Sequence, residues 1–200
     1  MIQYLVNAIV QVVIFSVIPF VWWLISTKGN INFLKWIGLR RPIIRCSIRK
    51  LLLIIVTVSV TYILLMIIVM TQLLGDIDTA TTQFDRQGWN ALLYILIYAI
   101  IQTSLSEEIL FRGFIGKRLI KRLGFTAGNT VQAILFGLLH GLPFGLVSGN
   151  ILVTVILTLI PGAIGWIEGW INEKYATGSI IPSWIMHATM NLISALSSAF

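Results

Sequence analysis

The sequence predicts an all-α, polytopic transmembrane helical bundle with about six spans. Three observations predict it. The 200-residue chain is 58% hydrophobic and 10% charged, with a mean hydropathy of +0.94, whereas soluble domains carry roughly 25% charged residues. Its apolar runs reach the ~20 residues that cross a hydrocarbon core. Its basic residues cluster in two short segments beside such runs, a pattern that reports orientation. The net charge of +7 is therefore read as topology and weak attraction to anionic lipid, and no nucleic-acid partner is expected. A single cysteine, Cys46, excludes an internal disulfide and a CxxC metal site.

Taken in order, span 1 is expected at about Ile2–Ile25. It is too long for a signal-peptide core and lacks a positive leading region, so it is read as uncleaved; Pro19 is a candidate kink. Lys28, Lys35, Arg40, Arg41, Arg45, Arg49 and Lys50 follow without an acid, which places this segment in the cytoplasm and the N-terminus outside. Span 2, about Leu51–Leu74, is uncharged and is expected to face lipid. The connection Gly75–Gly88 holds Asp76, Asp78 and Asp85 against Arg86 and suits the outer face. Span 3 runs from about Trp89 to Phe111. Lys117, Arg118, Lys121 and Arg122 then continue it as a basic amphipathic helix up to Gly124, a helix stop.

Span 4 is expected at about Thr126–His140, broken by Gly141, Pro143 and Gly145. Span 5, about Leu146–Ile167, is interrupted at Pro161-Gly162. In it Gly165 and Gly169 form a small-xxx-small pair, while Glu168 and Glu173 read as solvated acids at the helix end. Span 6 starts near Pro182, a favoured first-turn residue, and runs to Phe200. No repeat is visible. The chain is read as one membrane domain, residues 1–200, with residues 1–88 carrying no motif and residues 89–200 holding the polar residues at membrane depth. A cell-membrane location is expected.

The chemistry centres on Leu105-Ser106-Glu107-Glu108-Ile109-Leu110-Phe111-Arg112. Ionisable groups at membrane depth cost several kcal/mol by insertion scales of about 2.5–3.5 kcal/mol each. Glu108 and Arg112 are four residues apart and can pair on one helix face, which leaves Glu107 free. The only two histidines, His140 and His187, also lie in spans. If spans 3 and 4 form a hairpin turning at Gly124, Glu107 and His140 each stand ~25 Å from the turn, at ~1.5 Å per residue. His187 and Asn191 share a face of span 6. His187 lies about as far into the membrane from the cytoplasmic side as Glu107 does. Phe136, one turn from His140, can wall a cavity.

A carboxylate, two imidazoles and an amide in a low-dielectric pocket suit amide hydrolysis. Glu107, His140 and His187 equally form a two-histidine, one-carboxylate set for Zn²⁺, with an open position for water, although HExxH is absent. Ser104 and Ser106 lack a nucleophile elbow.

In this order, Glu107-Glu108-x-x-x-Arg112, Phe136-x-x-x-His140 and His187-x-x-x-Asn191 resemble the CPBP family. That family includes type II CAAX prenyl endopeptidases and bacteriocin-processing or bacteriocin-immunity proteins. The resemblance covers about Trp89 to Asn191. It implies an intramembrane endopeptidase in which Glu107 and His140 activate water, His187 and Asn191 stabilise the oxyanion, and Glu108 and Arg112 form a structural ion pair. It implies no cofactor under the glutamate mechanism and Zn²⁺ under the alternative. The chain is shorter than eukaryotic CAAX proteases, so the expected substrate is a peptide or small membrane protein rather than a prenylated tail. Two other classes compete: a non-enzymatic, partner-binding membrane protein of the immunity or scaffold type, and a proton or ion transporter. A scaffold has no need of an unpaired Glu107, and a transporter commonly shows an inverted repeat.

Overall fold

The computed structural model describes residues 2–74 and 77–200. Of the expected outer connection, Gly75 and Asp76 lie outside the described residues. Among the described residues the chain forms seven helices and no strand. They are α1 (Ile2–Thr27), the short α2 (Phe33–Ile37), α3 (Ile48–Leu73), α4 (Gly88–Leu123), α5 (Phe125–Ser148), α6 (Ile151–Tyr175) and α7 (Ile181–Ala199).

Five of them, α1, α3, α4, α5 and α6, are long and apolar enough to cross a membrane. Helix α7 has sufficient length at 19 residues but is less apolar, because it carries Ser183, His187 and Asn191. Ser183 and His187 are buried inside the bundle. Helices α1 and α3 leave most of their Ile, Leu and Val side chains exposed, as lipid-facing helices do, since hydrocarbon solvates them as well as a protein core would.

The connections gather by charge. The segment after α1 is tied to the α6–α7 connection by backbone bonds from Arg45 N–H to the Tyr175 carbonyl (2.8 Å) and from Ile180 N–H to the Gly38 carbonyl (2.9 Å). Lys117, from the basic end of α4, donates to Gly178 O (2.6 Å) and pairs with Glu173 (3.1 Å). Twelve of the chain's fourteen basic residues, all but Arg86 and Arg112, lie in these basic-end segments. At the opposite end Arg86 N–H bonds Ser198 O (3.2 Å) and Trp89 packs on Phe200.

Two expected interruptions are absent. Helix α5 continues through Gly141, Pro143 and Gly145, and α6 through Pro161-Gly162. The reason is packing. Gly137, Gly141 and Gly145 recur every fourth residue and form a bare stripe against α6. A Cβ on Gly137 would lie 2.2 Å from Thr158 O, one on Gly141 2.0 Å from Thr158 Oγ1, and one on Gly145 1.8 Å from Thr154 Oγ1. These glycines let two backbones touch instead of ending a helix. Glycine at residues 165 and 169 plays the same part on α6, with Gly165 under Phe136 and Arg112, and Gly169 under Asn129. A Gly141→Val protein should therefore separate α5 from α6. A fall in thermal melting point in detergent of more than about 5 °C is expected, since overpacking costs about 1–3 kcal/mol or more. An unchanged melting point would show that the two helices are free to part.

Candidate active site

Helix α4 is widened over Ile97–Leu105 and again over Glu108–Gly116, where backbone bonds run to the fifth residue. Such π-turns are uncommon and frequently mark functional sites. The hydroxyls of Thr103 and Ser104 donate to the Tyr98 and Ala99 carbonyls at 3.0 and 2.6 Å, so each polar side chain is satisfied within its own helix. Glu107 sits between the two widened stretches. The α4–α5 hairpin turns at Gly124, whose φ of +79° suits glycine.

That hairpin brings Glu107 and His140 together, with 3.9 Å between Oε2 and Nε2. From α7, His187 Nε2 approaches the same oxygen at 3.7 Å. Glu107 Oε2 is buried and has no hydrogen-bond partner. The outer nitrogens of both imidazoles are fixed. His140 Nδ1 lies 2.9 Å from the Phe136 carbonyl, an acceptor only, so it is the protonated nitrogen. His187 Nδ1 lies 3.2 Å from Glu108 Oε1, a carboxylate oxygen that is ion-paired with Arg112, so it too donates. Both Nε2 lone pairs are thereby turned toward Glu107.

Behind His187 lies a buried ion network. Arg112 Nη1 is 3.3 Å from Glu108 Oε1, and Arg112 Nη2 donates to Glu168 Oε2. Ser183 donates to Glu108 Oε2. Glu108 and Glu168 are fully buried and Arg112 is nearly so. The guanidinium also lies 4.0 Å from the centre of the Phe136 ring. The expectation that Glu168 is a solvated helix-end acid is thus overturned. Burying a charge is costly unless it is paired, and the partner of Glu168 stands 56 residues earlier, beyond the reach of local pattern. Glu173 is partly exposed and pairs with Lys117.

Asn191 lies one helical turn from His187 and lines the same cavity. Its Nδ2 donates to Thr103 Oγ1 at 2.9 Å and to Ser104 Oγ at 3.1 Å. Both amide hydrogens are therefore engaged. The two hydroxyls must be the acceptors, because each gives its own hydrogen to a carbonyl.

The cavity is about 30 Å³ and is lined by Tyr62, Phe136, His140, Glu168, His187 and Asn191, among others. It has room for one or two waters and none for a peptide. Along the seam between α3 and α6, an apolar groove of about 440 Å³ lies roughly one turn beyond Tyr62 and Pro161, bordered by Leu65, Val69, Ile156 and Ile160. Tyr62, Ser183 and Glu168 were not legible as site residues. A lone tyrosine or serine in an apolar run carries no spacing signal, and their meeting with Glu108, Arg112 and His187 is made between helices.

A metal can be weighed at two places. Glu108, Glu168 and His187 bring ligand atoms within 4.8 Å of one another, but the Arg112 guanidinium is ion-paired with both carboxylates and already supplies the cation there. The residues do not fit a metal. Glu107, His140 and His187 have the donor chemistry for Zn²⁺, an unpartnered buried carboxylate oxygen facing two imidazole nitrogens, each ring held from behind, although their ligand atoms do not all come within 4.8 Å of one another.

Residues 88–193 match the family described as Type II CAAX prenyl endopeptidase Rce1-like, which supports the CPBP resemblance of the ordered motifs. No curated protein and no solved structure matches the chain. The match covers more than half of the sequence and contains Glu107, Glu108, Arg112, Phe136, His140, His187 and Asn191. This multi-pass membrane chain belongs to the Rce1-like family of type II CAAX prenyl endopeptidases, a family of proteases.

Proposed function

We propose that the chain is an intramembrane endopeptidase that hydrolyses a peptide bond near the cytoplasmic face, using a water activated by Glu107. The observation that carries this reading is the convergence of Glu107 Oε2 with the Nε2 atoms of His140 and His187, beside a water-sized cavity that both histidines line. Three acceptors meet there, and one water offers only two hydrogens. The set therefore favours a water held against Glu107 and His140, with one further proton shared across it.

In the reaction, the water oxygen bonds to the scissile carbonyl carbon while its proton passes to Glu107. The carbonyl oxygen becomes an oxyanion. His187 lies across from Glu107 and donates to it when it carries the shared proton. Asn191 adds a second donor on exchanging one of its hydroxyl partners. When the carbon–nitrogen bond breaks, the departing amine takes the proton that Glu107 had received. Glu108 and Arg112 hold His187 Nδ1 and touch no substrate. Proximity and general-base action of this kind are worth about 10²–10⁴-fold.

If Zn²⁺ were bound, Glu107, His140 and His187 would hold it, and it would supply an acidified water and Lewis-acid polarisation of the carbonyl. We adopt the metal-free glutamate mechanism. Cleavage by the purified chain should survive a strong chelator at full rate. Loss of cleavage on chelation, restored by Zn²⁺, would replace this mechanism with the metal-dependent one.

The substrate we propose is a peptide or small membrane protein in a bacterial plasma membrane. The groove between α3 and α6 offers its apolar part a place beside the cavity. Positive-inside orientation supports cytoplasmic access, since the basic connections share the end toward which Arg112 and Lys117 lie. The partner-binding and transport readings are each served by a distinct result: function retained without Glu107 for the first, and dependence on a proton gradient for the second.

A further inference from the structure

We infer that Tyr62, on the motif-free helix α3, is a catalytic residue of this site, donating a hydrogen bond from its hydroxyl to the oxyanion of the tetrahedral intermediate. The inference rests on the protease reading above and adds a residue outside the matched region, 88–193.

Free hydrogen-bond donors are scarce in the cavity wall. His140 gives its Nδ1 hydrogen to the Phe136 carbonyl and turns a lone pair inward. His187 gives its Nδ1 hydrogen to Glu108 and becomes a donor at Nε2 only when it holds the shared proton. Both Asn191 amide hydrogens go to Thr103 and Ser104. Glu168 is bound to Arg112 through Oε2, and its Oε1 is buried without a partner. Phe136, Pro161, Ile164 and Met190, the rest of the lining, offer no side-chain hydrogen. Tyr62 remains. Among the described residues its side chain makes no hydrogen bond, and it lines the same cavity as His140, Glu168, His187 and Asn191.

Its side chain packs against the buried cluster that includes Ile164, Met186 and Met190, which restrains the ring that carries the hydroxyl. That is what oxyanion stabilisation requires: a donor already aimed, in a water-poor site, that need not give up another bond when charge develops. Asn191 would have to break a bond to do the same. Tyr62 keeps its proton throughout. The new covalent bond is between water oxygen and carbonyl carbon, the water proton goes to Glu107, and the phenol only shares its hydrogen with the negatively charged oxygen.

The test uses the full chain purified in detergent and two quenched-fluorescence peptides, one with an apolar membrane-embedding segment followed by a polar cytoplasmic stretch and one ending in a farnesylated CAAX sequence. Tyr62→Phe should lower kcat by about 10²–10³-fold, the loss seen when one oxyanion donor is removed, with KM nearly unchanged. Its melting point should match the wild type, because the ring and its packing remain. Incorporation of 3-fluorotyrosine at residue 62, which keeps a hydroxyl, should retain activity and guards against a folding defect in the phenylalanine protein. A wild type that cleaves, an inert Glu107→Gln and a Tyr62→Phe within twofold of wild-type kcat would overturn this inference alone. So would a loss confined to KM, or an inactive fluorotyrosine protein. A wild type that cleaves neither peptide would overturn the protease reading and this inference with it.

Discussion

Glu107→Gln should abolish proteolysis while leaving the protein folded. Glutamine keeps the shape of the side chain but cannot take a proton from water, and loss of a general base costs about 10²–10⁴-fold in rate. Stability should be untouched for a structural reason. Glu107 Oε2 has no hydrogen-bond partner, and its two histidine neighbours at 3.7 and 3.9 Å are anchored by other groups, Glu108 and the Phe136 carbonyl. Cleavage rate and melting point measured on the same preparation check this. Full activity in Glu107→Gln would remove the glutamate mechanism. Function in cells that persists without Glu107 and without detectable cleavage would favour a partner-binding protein.

Arg112→Met should have the opposite profile, with the fold failing first. Arg112 is the one guanidinium between two fully buried carboxylates, Glu108 and Glu168. Removing one partner of a buried pair leaves uncompensated charge and costs about 3–5 kcal/mol. Here Glu168 loses its one side-chain partner and Glu108 loses its cation, keeping only Ser183 and His187. For a chain of this size the loss corresponds to a drop in melting point of roughly 10 °C, with reduced abundance in membranes. Glu168→Gln should be milder, because it keeps the shape and an acceptor oxygen for Arg112 while leaving the Glu108 pair intact. A melting point for Arg112→Met within about 2 °C of wild type would mean that the network does not stabilise the bundle.

These two residues, five positions apart, mark the boundary of what the chain discloses without its fold. The pairing of Glu108 with Arg112 follows from a spacing of four on a helix, even where α4 is widened. The depth of Glu107 and His140 follows from counting residues on either side of Gly124, and their side chains do face each other. Helix existence was legible for a similar reason: uninterrupted apolar runs have few ways to satisfy their backbone in a membrane other than by forming helices. Local signals failed where packing between helices overrode them. Gly141, Gly145 and Pro161-Gly162 read as breaks because glycine and proline end helices in water. Between α5 and α6 the same glycines allow backbone contact and the helices run on.

By itself the sequence determined the fold class, the basic and acidic ends and the set of polar groups that must be accommodated at membrane depth, since hydropathy, charge and helical spacing are properties of the chain alone. Only the tertiary structure decided how those groups are shared. Glu168 became the second partner of Arg112, Asn191 was tied to Thr103 and Ser104, and Tyr62 was brought to the cavity from a helix without a motif. Each of these pairings joins residues on different helices. Side-chain reach across a bundle depends on helix rotation and approach, which the close-packed glycine faces set and no local pattern records.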